Sequence, residues 1–175
     1  MAGHPGDHLL HPLALACMVV LVFNDHVAKD RWPSVVTGKL SDFAGLAFFP
    51  LLLVSLAEAL RWAFRREAWQ LGRVAVLIAC LATGVAFSAI KLWEPAGDAF
   101  RLANGVARWP VDAVVSLLGG EGLPALRPVR LVADPTDLVA LPALWFSVWV
   151  AGRTERRRAA IGRAFAGRAG ARGQA

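Results

Sequence analysis

Apolar residues gather into four runs along this chain, Leu9 to Phe23, Phe43 to Ala57, Val74 to Ile90 and Leu138 to Gly152, none containing Lys, Arg, Asp or Glu. A helix on the surface of a water-soluble bundle carries polar residues every three or four positions on its wet face. These runs have no such face. Charge is confined to their ends, which is what a lipid surround demands. Each run falls short of the roughly 20 residues that cross a bilayer core. Flanking residues that can snorkel, Lys29, Arg61 and Lys91, extend the first three to a full span. The pattern predicts an all-α polytopic membrane protein with four transmembrane helices. The segment WPVDAVVSLLGGEGLPAL (109 to 126) reads differently. Pro110 suits a helix start, and the apolar stretch ends at Gly119-Gly120, too short to span. We expect a short amphipathic or re-entrant helix there, between helices three and four, lying over the outer face. If it spanned, the fourth helix would reverse.

Composition agrees with the membrane reading: of 175 residues, 57% are hydrophobic and only 18% charged, with mean hydropathy +0.50. The expected organisation is one membrane domain over 1–152 and a basic cytoplasmic tail over 153–175, disordered or associated with lipid. Arginine is dense in RWAFRREAWQLGR (61 to 73) and in the tail, and Met1 to Leu13 holds neither Lys nor Arg. Short loops rich in Lys and Arg stay cytoplasmic, so both termini are expected inside, in a cell inner membrane. Four arginines between Glu94 and Asp134 then lie outside. The first run lacks the positive flank of a cleaved signal peptide. A pI near 10.6 invites a nucleic-acid reading, but on a membrane the same arginines suit anionic headgroups, so lipids and no nucleic acid are the expected partners.

If the helices alternate in direction, four polar motifs converge on the outer face. Helix one ends in NDHVAKD (24 to 30), helix two opens with GKLSD (38 to 42), helix three ends in SAIKLWEP (88 to 95), and helix four opens with ADPTDL (133 to 138). Helical spacing sets Asp25 one turn from Lys29 and His26 beside Lys29 and Asp30. Ser88 and Lys91 share a face of helix three. The chain has sixteen arginines and three lysines, and all three lysines, Lys29, Lys39 and Lys91, fall in these motifs. The candidate binding residues are Asn24, Asp25, His26, Lys29, Lys39, Ser41, Asp42, Lys91, Glu94, Asp134, Thr136 and Asp137. Ionisable groups near a membrane core tend to face the bundle interior and mark sites.

Each motif also has a plain structural reading. Asp134-Pro135-Thr136-Asp137 is a helix start, with Asp134 as N-cap, Pro135 first and Asp137 at the positive dipole end. Ser41 or Asp42 can cap helix two, and Glu58 reads as an interfacial charge paired with Arg61. Pro50 and Pro142 are expected to kink helices two and four. Gly84 and Ser88 suit close helix packing, and tryptophans 32, 62, 93 and 149 suit an interfacial belt. Cys17 and Cys80 lie in apolar runs, and no metal spacing, phosphate loop or nucleophile elbow appears, so no metal or cofactor is expected.

The stretches KLSDFAGLAFFPLL, IKLWEP and DPTDLVALP, over residues 37 to 150, make the chain similar to the VanZ-like family of small bacterial integral membrane proteins. The resemblance implies a role at the cell envelope with no established reaction. The expected function is binding of a lipid headgroup or small polar ligand by the outer-face cluster. There Lys29, Lys39 and Lys91 would contact an anion, and Asp25, Asp42, Asp134 and Asp137 would hold the lysines. One alternative is a membrane enzyme using Asp25, His26, Asp42, Asp134 and Asp137. Another is an accessory subunit docking a membrane protein partner.

Overall fold

The computed structural model describes residues 6–32, 34–66, 71–129 and 131–172. The first five residues, the middle of the 61–73 loop (67–70), the last three residues of the tail and tail side chains from 165 onward lie outside the described residues. Described residues form helices α1 (Pro12–Phe23), α2 (Lys29–Arg31), α3 (Val35–Arg65), α4 (Arg73–Leu92), α5 (Glu94–Leu118) and α6 (Leu144–Arg172). A π-helical turn, Asn24–Ala28, joins α1 to α2, and a 3-10 helix, Pro135–Ala143, leads into α6. No strand occurs among the described residues. Four helical stretches are long and apolar enough to cross a membrane: Pro12–Arg31, Val35–Arg65, Arg73–Leu92 and Pro135–Ala164.

The chain divides into two units, one of Met1–Gly84 with Val139–Ala175 and one of Val85–Leu138. In the first, Leu51 and Val54 of α3 pack with Ala14 of α1, Val76 and Cys80 of α4, and Val148 and Ala151 of α6. Large apolar side chains elsewhere on these helices, Val19, Leu56, Ile78 and Leu81 among them, point outward. In a lipid surround, whose tails are as apolar as such side chains, helices associate through close packing and interhelical hydrogen bonds. Gly84 serves that packing: a Cβ there would lie 3.0 Å from Leu144 Cδ1.

Helix α3 starts earlier than GKLSD suggested. Ser34 is its N-cap, with Ser34 Oγ accepting from Thr37 N at 3.2 Å and Thr37 Oγ1 accepting from Ser34 N at 3.0 Å. Ser41 and Asp42 therefore lie inside the helix and do not cap it. A capping box needs a hydroxyl residue three positions from its partner, and Ser34/Thr37 supplies that pair one turn earlier. The helix runs through Pro50, which removes a backbone N–H and weakens the ladder around the preceding turn. Ser147 of α6 donates to Ala47 O at 2.8 Å within that turn, a neighbouring hydroxyl supplying a hydrogen bond where the proline weakened the helix's own.

Glu58 is not a surface charge. It is 1% exposed, with Oε2 accepting from Gly6 N and Oε1 from Leu71 N, each at 2.8 Å. The carboxylate thereby ties the N-terminal turn and the approach to α4 onto α3. A helical wheel cannot foresee this, because both donors come from backbone distant in sequence.

In the second unit, α5 is 25 residues long and takes in Pro110 as an interior residue, so the helix expected to open there begins a further sixteen residues back, at Glu94. Trp93-Glu94-Pro95 supplies the actual start, with Pro95 in the first turn. Asp98 with Arg101 (2.8 Å) and Asp112 with Arg108 (3.1 Å) line its polar side, and Val106, Val111, Val114 and Val115 stay exposed. The chain then returns along α5. Arg101 Nη2 reaches Leu131 O at 3.2 Å, Trp109 Nε1 reaches Pro124 O at 2.9 Å, and a Cβ on Gly105 would lie 2.7 Å from Arg127 O. Only glycine admits that approach. Helix α6 continues without a break past residue 152, so the basic segment leaves the apolar run as helix up to Arg172.

Candidate functional site

The polar residues at the end of α1 fall on the π-helical turn Asn24–Ala28. Such a turn adds a residue to the helical register, and it occurs frequently at functional sites. Its effect here is to bury Asn24 completely against α3. Asn24 Nδ2 donates to Thr37 O at 2.6 Å and to Ser41 Oγ at 2.7 Å. Ser41 Oγ donates onward to Asp25 Oδ1 at 2.5 Å, and Lys29 Nζ donates to the same oxygen at 2.7 Å. The result is a directed chain from amide to hydroxyl to carboxylate, closed by an ammonium. Asn24 Oδ1 is buried without a hydrogen-bond partner among the described residues. A buried amide oxygen left so is costly.

A second polar pair lies within the other unit. Lys91 Nζ donates to Asp137 Oδ2 at 2.6 Å and to Val132 O at 3.4 Å, and it lies 5.5 Å from the Phe87 ring centre. The end of α4 and the 3-10 helix before α6 thus meet through a salt bridge whose side chains are 8% and 12% exposed. Asp134 begins the 3-10 helix as its motif suggested: Oδ1 accepts from Thr136 N at 2.8 Å and its carbonyl from Asp137 N at 3.0 Å.

The twelve candidate residues therefore fall into distinct settings. Asn24, Asp25, Lys29 and Ser41 form one bonded network, and Lys91 and Asp137 form another. Lys39 and Asp42 are half-buried in the second and third turns of α3, and Asp134 is half-buried at the helix start. His26, Glu94 and Thr136 are exposed. The network also uses Thr37, which the sequence did not mark because it contributes a backbone carbonyl. Any residue type can do that. The π turn had no periodic signal either, since its one-residue slip lies within an otherwise uniform helical pattern.

A cavity lies elsewhere in the first unit. It opens at the far end of α1, about 14 residues or roughly 20 Å of helix from Asp25, and arginines of α6 line it. No protein-family model, curated protein or solved structure matches the chain.

Proposed function

We propose that this chain is a multi-pass protein of a bacterial inner membrane, its termini cytoplasmic, that binds a lipid headgroup or small polar ligand through the polar network at the outer ends of its spans. The observation that carries the reading is the π turn, with Asn24 buried and bonded to Ser41 inside a stretch otherwise apolar enough to span. Polar side chains in a span cost insertion free energy and are characteristic of sites. Capping does not account for them, because Ser34 already caps α3. In this reading Lys29 and Lys39 supply positive charge toward the ligand. Asp25 and Asp42 orient those ammonium groups, and the unpartnered Asn24 amide oxygen accepts from a ligand donor. The likeness to VanZ-like proteins fits a role at the cell envelope.

The test is titration of the purified protein, in neutral detergent, with dihexanoyl phosphatidylethanolamine, whose ammonium can donate to Asn24. Asn24→Leu and Asp25→Asn are expected to weaken binding at least about tenfold each, the worth of a hydrogen bond to a charged partner. Undiminished affinity in variants of native helicity and melting temperature removes the proposal.

A further inference from the structure

The basic segment after the fourth apolar run does more than follow the span. Arg153, Arg156 and Arg157 stand at i, i+3 and i+4 on α6 and share one face. With Arg158, His11 and Asp7 they line a cavity of about 730 Å³ within the first unit. The N-terminal turn forms its other wall, held by the Glu58 bond to Gly6 and by Arg158 Nε donating to Asp7 Oδ2 at 3.1 Å.

Charge around this cavity does not balance. Four guanidinium groups meet one carboxylate, and Arg158 already engages that carboxylate. Two of the remaining three, Arg153 and Arg156, are positioned by contacts that leave their charge uncompensated, and Arg157 lines the cavity beside them. Arg153 stacks over the Trp149 ring at 4.1 Å, and Arg156 Nε donates to Gly152 O at 3.1 Å. A guanidinium fixed in this way presents a planar fork that matches phosphate oxygens. His11 accepts from Leu13 N at its Nδ1, which leaves Nε2 to carry the proton of the neutral ring. Burial, with the charges of Arg153 and Arg157 adding to it, holds that imidazole below its ordinary range. The wall also carries two outward apolar side chains, Leu10 and Ile161, at 64% and 45% exposure.

We infer that this basin is a binding site for a phosphate-bearing anion, held by the guanidinium groups of Arg153, Arg156 and Arg157 at the end of the fourth span. It is separate from the network around Asn24 and does not rest on that reading. A phospholipid headgroup and a free phosphate present the same chemistry. Leu10 and Ile161 favour the lipid, because they lie where acyl chains would leave the headgroup.

The experiment uses the full chain in a neutral detergent and follows the His11 ring by NMR. The probes are dihexanoyl phosphatidylglycerol, inorganic phosphate and uncharged dihexanoylglycerol. A bound anion stabilises the imidazolium, so a phosphate probe should saturate and raise the His11 midpoint. Arg153→Gln and Arg157→Gln should each weaken binding about tenfold. Arg163→Gln, the same charge change outside the cavity, should leave binding intact, and so should Ser41→Ala in the other network. Phosphatidylglycerol binding at least tenfold tighter than inorganic phosphate identifies a lipid source, and equal affinity identifies a free anion. The inference is overturned if neither phosphate probe binds, if dihexanoylglycerol binds as tightly, or if the glutamine variants bind normally. Should those variants fail to fold, Arg153→Lys and Arg157→Lys keep the charge but lose the fork, and normal binding in them overturns it equally.

Discussion

Two lysine–aspartate pairs in this molecule have nearly the same geometry and very different surroundings. Lys91 and Asp137 meet at 2.6 Å with side chains 8% and 12% exposed, and Lys29 and Asp25 meet at 2.7 Å with side chains 40% and 41% exposed. Distance therefore says little about what each pair contributes. A buried pair has given up hydration that its attraction only just offsets, so removing one partner leaves an uncompensated charge. The open pair is a one-turn helical contact that tightens α1 into α2 and gives up little hydration. The first pair joins elements 46 residues apart and the second joins residues four apart. We conclude that Lys91–Asp137 is structural, and that Lys29 is the lysine of the two more readily redirected toward a ligand.

The largest effect should come from Lys91→Met, which takes from buried Asp137 the ammonium 2.6 Å away. Unfolding in mixed detergent and SDS is expected to register a loss of about 3–5 kcal/mol. Adding Asp137→Leu should restore most of it, and a double variant no more stable than the single would break the contrast. Ser41→Ala comes next, because it deprives both Asn24 Nδ2 and Asp25 of a partner, with an expected loss of about 1–3 kcal/mol. A loss below about 0.5 kcal/mol there would mean that water already fills the network. Ser34→Ala removes the cap of α3 and should cost about 1 kcal/mol, read as a lower melting temperature. Lys29→Met should be smallest, within about 0.5 kcal/mol, and screened by salt. A loss matching that of Lys91→Met would show that exposure does not rank these pairs.

The contrast between the pairs also shows what could be read in advance. The i, i+4 spacing of Asp25 and Lys29 is a property of any helix, so that contact was legible from the motif alone. The Asp134-Pro135 helix start was legible for the same reason, since an Asx cap involves residues two and three apart. Lys91 and Asp137 were both marked as candidates, but nothing local to either said that they would pair out of solvent. Glu58 is the sharpest case. Its neighbour Arg61 suggested a charge at the surface, yet Glu58 is 1% exposed and accepts from backbone groups of Gly6 and Leu71 that no side-chain pattern announces. The arginine basin was visible only as a run of charge, because its other wall is the N-terminal turn, where Asp7 lies 151 residues from Arg158.

Local chemistry by itself determined the helical class, the four apolar stretches long enough to cross a membrane, and the residues that would lie at their ends. Those follow from hydrophobicity, periodicity and capping, which act over one or two turns. Tertiary structure alone decided which end residues are buried, where the helix register slips at Asn24, and which charges face a cavity. Each of these depends on desolvation by a segment remote in the chain, and desolvation is set by packing rather than by sequence neighbours.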